Sequence, residues 1–191
     1  MSLPAPEVER EALHTRTVRV DAYARADGQW DLEAELIDFK HYDFPLRSKP
    51  GGIRRAGEPV HHMHLRVTFD QSYTITAAVA SYDQAPYGEH CAAAESAYEC
   101  LVGMNLLKSF RDTVKRRFFR TAGCTHMTEL SYVLPTVAIQ ALSGRRREQQ
   151  EVADESTERP FQLEGCHALR LDGPVVQEFY PKWYVTPVAE G

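Results

Sequence analysis

Val60-His61-His62-Met63-His64-Leu65-Arg66-Val67-Thr68-Phe69-Asp70 alternates apolar and polar side chains, and this period of two predicts a strand half-buried against a core. Met63, Leu65, Val67 and Phe69 form its apolar face. Counting back by two puts His61 on that face, while His62 and His64 point the other way. An imidazole at the core-side end of a strand needs a hydrogen-bond partner or a metal. A second strand from Tyr73 to about Tyr82 makes an antiparallel hairpin with the first.

Working toward the N-terminus, residues 40 to 59 lose all periodicity, with Pro45, Pro50, Gly51, Gly52, Gly57 and Pro59 punctuating a long connection. His41, Tyr42, Asp43 and Arg47 lie there without a spacing that marks a site. Before it, Val20, Ala22, Ala24 and Ala26 alternate on one side of Asp27-Gly28-Gln29, and Trp30, Leu32, Ala34 and Leu36 on the other. A three-residue loop at 27 to 29 pairs Ala26 with Trp30 through Val20 with Leu36, a hairpin with one apolar face. Residues 1 to 13, with Pro4 and Pro6, read as a flexible lead-in.

Toward the C-terminus the period changes to that of helices. Cys91 precedes a helical pattern from Ala92 to Val102 that Gly103 closes, with Cys100 inside it. Leu107, Phe110, Val114 and Phe118 give a second stripe over residues 106 to 119, with Lys108, Arg111, Lys115 and Arg116 on its outer face. In Thr121-Ala122-Gly123-Cys124-Thr125-His126, a thiol and an imidazole stand at the mouth of a third helix. Its buried stripe runs Cys124, Met127, Leu130, Leu134, Ala138 and Ala141; Pro135 bends or splits this helix and Gly144 ends it. Residues 145 to 159 are charged and aperiodic, predicting a linker. Residues 160 to 191 read as a C-terminal hairpin, Phe161 to Leu171 and Val175 to Tyr180 about Asp172-Gly173, packing on the same domain; within it Cys166 and His167 point to opposite faces. The expected architecture is α+β, an antiparallel sheet of hairpins packed against helices over residues 14 to 144.

A chain of 191 residues with 43% hydrophobic content buries a core without disulfides. Its apolar runs fall short of the roughly 20 residues that span a bilayer, and its start has no signal-peptide pattern, so a soluble, cytoplasmic protein is expected with no membrane partner. The four cysteines are then expected as reduced thiols, available for metal or thiol chemistry. A net charge of -5 gives no support to nucleic-acid binding.

Cys91, Cys124, His61 and His126 supply the sulfur and nitrogen donors of a mononuclear zinc or iron site. That makes a metal-binding accessory protein or small metalloenzyme the first reading. The second is a metal-independent cysteine-dependent transferase or hydrolase, with Cys124 as nucleophile and His61 or His126 as base. Residues two apart on a helix point about 200° apart, which favours His61 unless the helix starts after His126. A helix N-terminus lowers a thiol from about 8.5 toward roughly 3.5–7.5. In the third reading the cysteines are ordinary core residues and the basic helix face at 108 to 116 binds an acidic protein partner.

Gly123-Cys124-Thr125-His126 with the following Thr-Glu-Leu, the stretch from Asp38 to Phe44, and Gly165-Cys166-His167-Ala168-Leu169 resemble the bacterial "domain of unknown function 2889" family. Residues 58 to 142 are more distantly similar to the U-type iron-sulfur cluster scaffolds and their zinc-binding relatives. That likeness implies a matching α+β core, with Cys91 and Cys124 on two scaffold cysteines and His61 near the scaffold aspartate. The first scaffold cysteine falls at Pro59, which leaves a mononuclear site rather than a cluster as what the resemblance implies.

Overall fold

The computed structural model describes residues 3–46, 48–151, 159–160 and 162–187. Strands β1 (His14–Ala24), β2 (Trp30–Lys40), β5 (Pro59–Phe69) and β6 (Ile75–Gln84) form a four-stranded antiparallel sheet in the order β1-β2-β5-β6. The connection between β2 and β5 holds a small two-stranded ribbon, β3 (Phe44–Pro45) with β4 (Ile53–Arg54). Arg47 lies outside the described residues.

One face of the sheet is dry. Leu32, Ala34 and Leu36 of β2, and Met63, Leu65, Val67 and Phe69 of β5, are buried among Tyr98, Leu101, Phe110, Val114, Met127, Leu130, Leu134 and Ala138 from the helical half. Alternation is the cause, since every second side chain of a strand faces the same way. The other face carries Glu33, Glu35, His62, His64, Arg66 and Asp83 and is wet.

The first hairpin has the expected face with a different register. Arg25 N–H donates to the Gln29 carbonyl at 2.9 Å and Gly28 takes φ 82°, so the three-residue loop is Ala26-Asp27-Gly28, one residue earlier than expected. Glycine then occupies the left-handed third loop position. Ala24 therefore stands opposite Trp30 and Val18 opposite Leu36, a slip of two that leaves every side chain on its predicted face.

The helices depart more from expectation. The pattern at 92 to 102 forms the short α1 (Glu89–Ala92) and then a 3-10 segment (Glu95–Leu101), where Tyr98 and Leu101 bury at a spacing of three. Gly103 does adopt φ 85°, but its N–H bonds the Ile75 carbonyl of the sheet. Helix α2 spans Phe110–Arg117, because the Asn105 side chain takes the Leu107 N–H and Ser109 turns left-handed ahead of it. Leu106 thus enters the core, and Leu107 is left exposed. The third pattern is split at Pro135, as expected, into α3 (Thr125–Ser131) and α4 (Leu134–Glu151). Gly144 does not end α4, so residues 145 to 151 of the expected linker are helical; 152 to 158 lie outside the described residues.

The chain divides into two compact units, Met1–Ser143 and Gly144–Gly191. Among the described residues of the second, the expected hairpin is absent. Pro174, which lacks the N–H a ladder requires, occupies the first turn of α5 (Pro174–Phe179), flanked by 3-10 turns at His167–Leu169 and Pro181–Trp183. Phe161 lies outside the described residues. Among the described residues, no helix is long and apolar enough to cross a membrane.

Candidate active site

At one end of the dry face the side chains turn from apolar to charged. Arg16, Asp38 and His61 stand directly opposite one another on β1, β2 and β5, forming a single rung of the sheet. Beyond this rung the β2–β5 ladder slips by one residue at Val60, a bulge of the kind that re-aims side chains beside functional sites. Helix α3 lies across the rung with His126 and Glu129, three residues apart on one helical face.

Asp38 is the hub. Only 3% of it is exposed, and a lone buried carboxylate would be costly. Arg16 clasps it with two parallel hydrogen bonds, Nε to Oδ1 at 2.7 Å and Nη2 to Oδ2 at 2.8 Å. His61 Nδ1 lies 3.1 Å from Oδ2, His126 Nε2 3.6 Å from Oδ2, and His14 Nε2 3.3 Å from Oδ1. Burial pushes the Asp38 carboxyl up, but the hydrogen bonds and charge of Arg16, helped by the two histidines, outweigh it and hold the group below its usual range. Arg16 also pairs with Glu129 through Nη1, tying α3 to the sheet. Burial, and then the neighbouring His126, push the His61 imidazole below its usual value against the pull of Asp38. The His61 and His126 rings lie against each other, centroids 3.9 Å apart.

Cys124 is the N-cap of α3, with extended backbone angles (φ -87°, ψ 127°), so helical phase does not set the direction of its side chain. His126 Nδ1 reaches its Sγ at 4.0 Å. The geometric objection to His126 therefore falls: a helix that starts just after Cys124 is enough. Burial pushes the thiol up, but the His126 imidazole, the Met127 amide, the Tyr82 hydroxyl and the His126 amide bring it down to about 7. The Tyr82 hydroxyl is buried and makes no hydrogen bond of good geometry, so its effect on the thiol is one of proximity. Tyr98 fixes the cap residue from behind. Its hydroxyl donates to the Cys124 carbonyl at 2.8 Å and accepts the Cys124 N–H at 3.0 Å, with the Thr128 hydroxyl 3.0 Å away.

Among the expected site residues, the structure brings together His61, His126 and Cys124. The possible ligand atoms of His61, His126 and Asp38 all lie within 4.8 Å of one another. Cys91, in α1, and Cys100, in the 3-10 segment, are half-buried and belong to no such group among the described residues. Cys166 is exposed, and His167 pairs with Arg170 in the second unit. Sequence reasoning passed over Asp38 and Arg16. The available signal was parity: two residues past Leu36 on the apolar face stands an aspartate, the place where a core-side His61 finds its partner.

Fold and site define an α+β protein with a half-buried thiol, an imidazole and an arginine-clasped carboxylate in line at one end of the sheet. The chain belongs to the family described as "Protein of unknown function (DUF2889)", whose sequence profile matches residues 14–140. Every residue of the site falls within that span, and the second unit falls beyond it. No curated protein and no solved structure matches the chain.

Proposed function

We propose that the protein is a cysteine-dependent acyl transferase or hydrolase, with Cys124 as nucleophile, His126 as general base and acid, and Asp38 as the group that orients His126. The observation that carries this reading is the alignment of Cys124 Sγ 4.0 Å from His126 Nδ1, with the other nitrogen of that ring 3.6 Å from the buried Asp38 carboxylate; the same surroundings bring the thiol down to about 7. At neutral pH about half of such a thiol is thiolate, against a few per cent for an ordinary cysteine. His126 takes the thiol proton as Cys124 attacks an acyl carbonyl, and the leaving group departs with that same proton, leaving a thioester on Cys124. Water or an acceptor then attacks the thioester, and His126 takes the incoming proton. His61 and Arg16 keep Asp38 ionised and in place. A hollow of about 200 Å³ lined by Lys40, Phe44, Arg54 and Tyr87 begins two residues beyond Asp38 on β2 and next to His61 at Val60. It offers an aromatic and cationic surface to a substrate with an acidic end. Free thiols in such a role fit a reducing, cytoplasmic setting.

The test is acylation by an activated ester, followed by intact-protein mass spectrometry. The expected result is one acyl group per chain, absent in Cys124→Ser and slowed roughly 100-fold or more in His126→Ala. Equal labelling of Cys100 and Cys124, or a rate in His126→Ala matching the parent, overturns the reading.

A second reading is a zinc or iron site on Asp38, His61 and His126, favoured by the three converging ligand atoms. The arginine fork weighs against it. Arg16 already occupies both Asp38 oxygens, and a dication would have to share that carboxylate with a guanidinium. Elemental analysis of untagged protein decides: about one equivalent of metal that is lost in both His61→Ala and His126→Ala favours the metal over the thiol chemistry.

A further inference from the structure

On the wet face of the sheet, two further histidines meet two carboxylates. His62 and His64 lie two apart on β5, hence side by side, with ring centroids 4.6 Å apart. Glu35 of β2 stands across from His64 and bonds His62 Nε2 at 2.8 Å. Asp83 of β6 bonds His64 Nε2 at 2.9 Å and lies 3.6 Å from His62 Nδ1. Asp83 holds this place at a second bulge, where it and Gln84 both oppose His62.

The arrangement is more than two solvent-side hydrogen bonds. A neutral imidazole has one N–H and one bare nitrogen, and a carboxylate has only acceptors. His62 has a carboxylate at each nitrogen, so in the neutral ring one nitrogen lone pair faces a carboxylate oxygen with no hydrogen between them. A proton or a metal cation removes that conflict. One ring cannot offer both nitrogens to the same ion, but the ligand atoms of Glu35, His62 and His64 all lie within 4.8 Å of one another, close enough for one ion to draw them together, with Asp83 as a hydrogen-bond partner beside them. Two carboxylates balance a dication's charge, and the nearby Arg66 is directed to Glu33. β5 is paired on both sides, which fixes the backbone under both imidazoles.

We propose that Glu35, His62 and His64, with Asp83 orienting the imidazoles from outside, form a binding site for a transition-metal dication of the zinc class on this face. Imidazole with carboxylate selects such an ion over calcium or magnesium, which prefer all-oxygen sites. Glu35 and His64 also line a hollow of about 400 Å³ with Ser81 and Val79, which leaves room for water or an anionic ligand on the ion's remaining positions. The bound ion would staple β2 and β5 together on the face opposite the thiol.

The proposal shares no residue with the Cys124 site, and its test separates the two. Untagged, chelator-treated full-length protein is titrated with zinc alone by calorimetry, in the parent, His62→Ala, His64→Ala and His126→Ala. Both outer histidines are partly exposed, so their truncation leaves the core intact, and far-UV circular dichroism checks this. One equivalent bound more tightly than about 10 µM is expected in the parent and in His126→Ala, weakened at least about 100-fold in His62→Ala and His64→Ala. Absence of binding in the parent overturns the proposal. Binding lost in His126→Ala but kept in His64→Ala overturns it too, and moves the ion to the inner face.

Discussion

At the scale of single residues, the site is a contest between burial and donors, and the two ionisable ends resolve it in the same direction. For Cys124 the donors win, so between about pH 7 and the ordinary thiol value the unfolded chain binds a proton that the native one lacks, and stability rises with pH across that window. The direct measurement is iodoacetamide alkylation against pH: a half-maximal rate near pH 7 is expected, moving upward by a unit or more in His126→Ala. A midpoint above 8 in the parent would mean that burial, not the cap and imidazole, governs the thiol. Asp38 follows the same sign. Its carboxyl is held below the usual range, so its contribution is present above about pH 4 and is lost as pH falls through the lower native value. Arg16→Gln removes both arms of the clasp. Since Arg16 is itself one-third exposed, a loss of about 1–3 kcal/mol is expected rather than the larger figure for fully buried pairs, and acid unfolding should start at higher pH. Urea unfolding between pH 3 and 7 measures both; an unchanged acid limb would remove Arg16 from this role.

At the scale of elements, the reactive cysteine depends on how α3 begins. Gly123 is extended (φ -161°), so no backbone strain demands glycine there; space does. A Cβ would stand 2.8 Å from Phe118 Cβ and 3.1 Å from the Tyr98 hydroxyl. Gly123→Ala must therefore push away the group that holds Cys124, and a loss of about 1–3 kcal/mol in stability together with slower alkylation is expected. If stability falls while the alkylation rate holds, Tyr98 is a packing residue only. The same elements show what a sequence discloses. Strand parity placed His61 correctly and survived the two-residue slip of the first hairpin, because a shift of two preserves faces. The break at Pro135 was legible from the proline itself, but other helix limits were less so: Asn105 and Ser109 set the start of α2 through a side-chain bond and a backbone angle that apolar spacing does not register. Asp38 was hidden for another reason. An acidic residue at the end of a strand looks solvated until Arg16, a strand away, is known to face it.

At the scale of the whole molecule, the family span and the first compact unit nearly coincide, residues 14–140 against Met1–Ser143. The sheet, the helical residues in the core cluster that bury its dry face, as far as Leu142 of α4, and each member of the Arg16–Asp38–His61–His126–Cys124 group belong to that unit. The buried residues of its core cluster run from Leu32 to Leu142. A chain of residues 1–151, which keeps α4 whole, should therefore fold alone and retain the fast alkylation of Cys124 near pH 7. Full length and fragment are compared by alkylation rate and by urea midpoint. Equal rates and midpoints within about 1 kcal/mol are expected, since the described core cluster and the thiol site are both drawn from residues of the fragment. A fragment that folds but loses the activated thiol would show that residues beyond 151 complete the chemistry, and the search for a substrate surface would then move to the second unit.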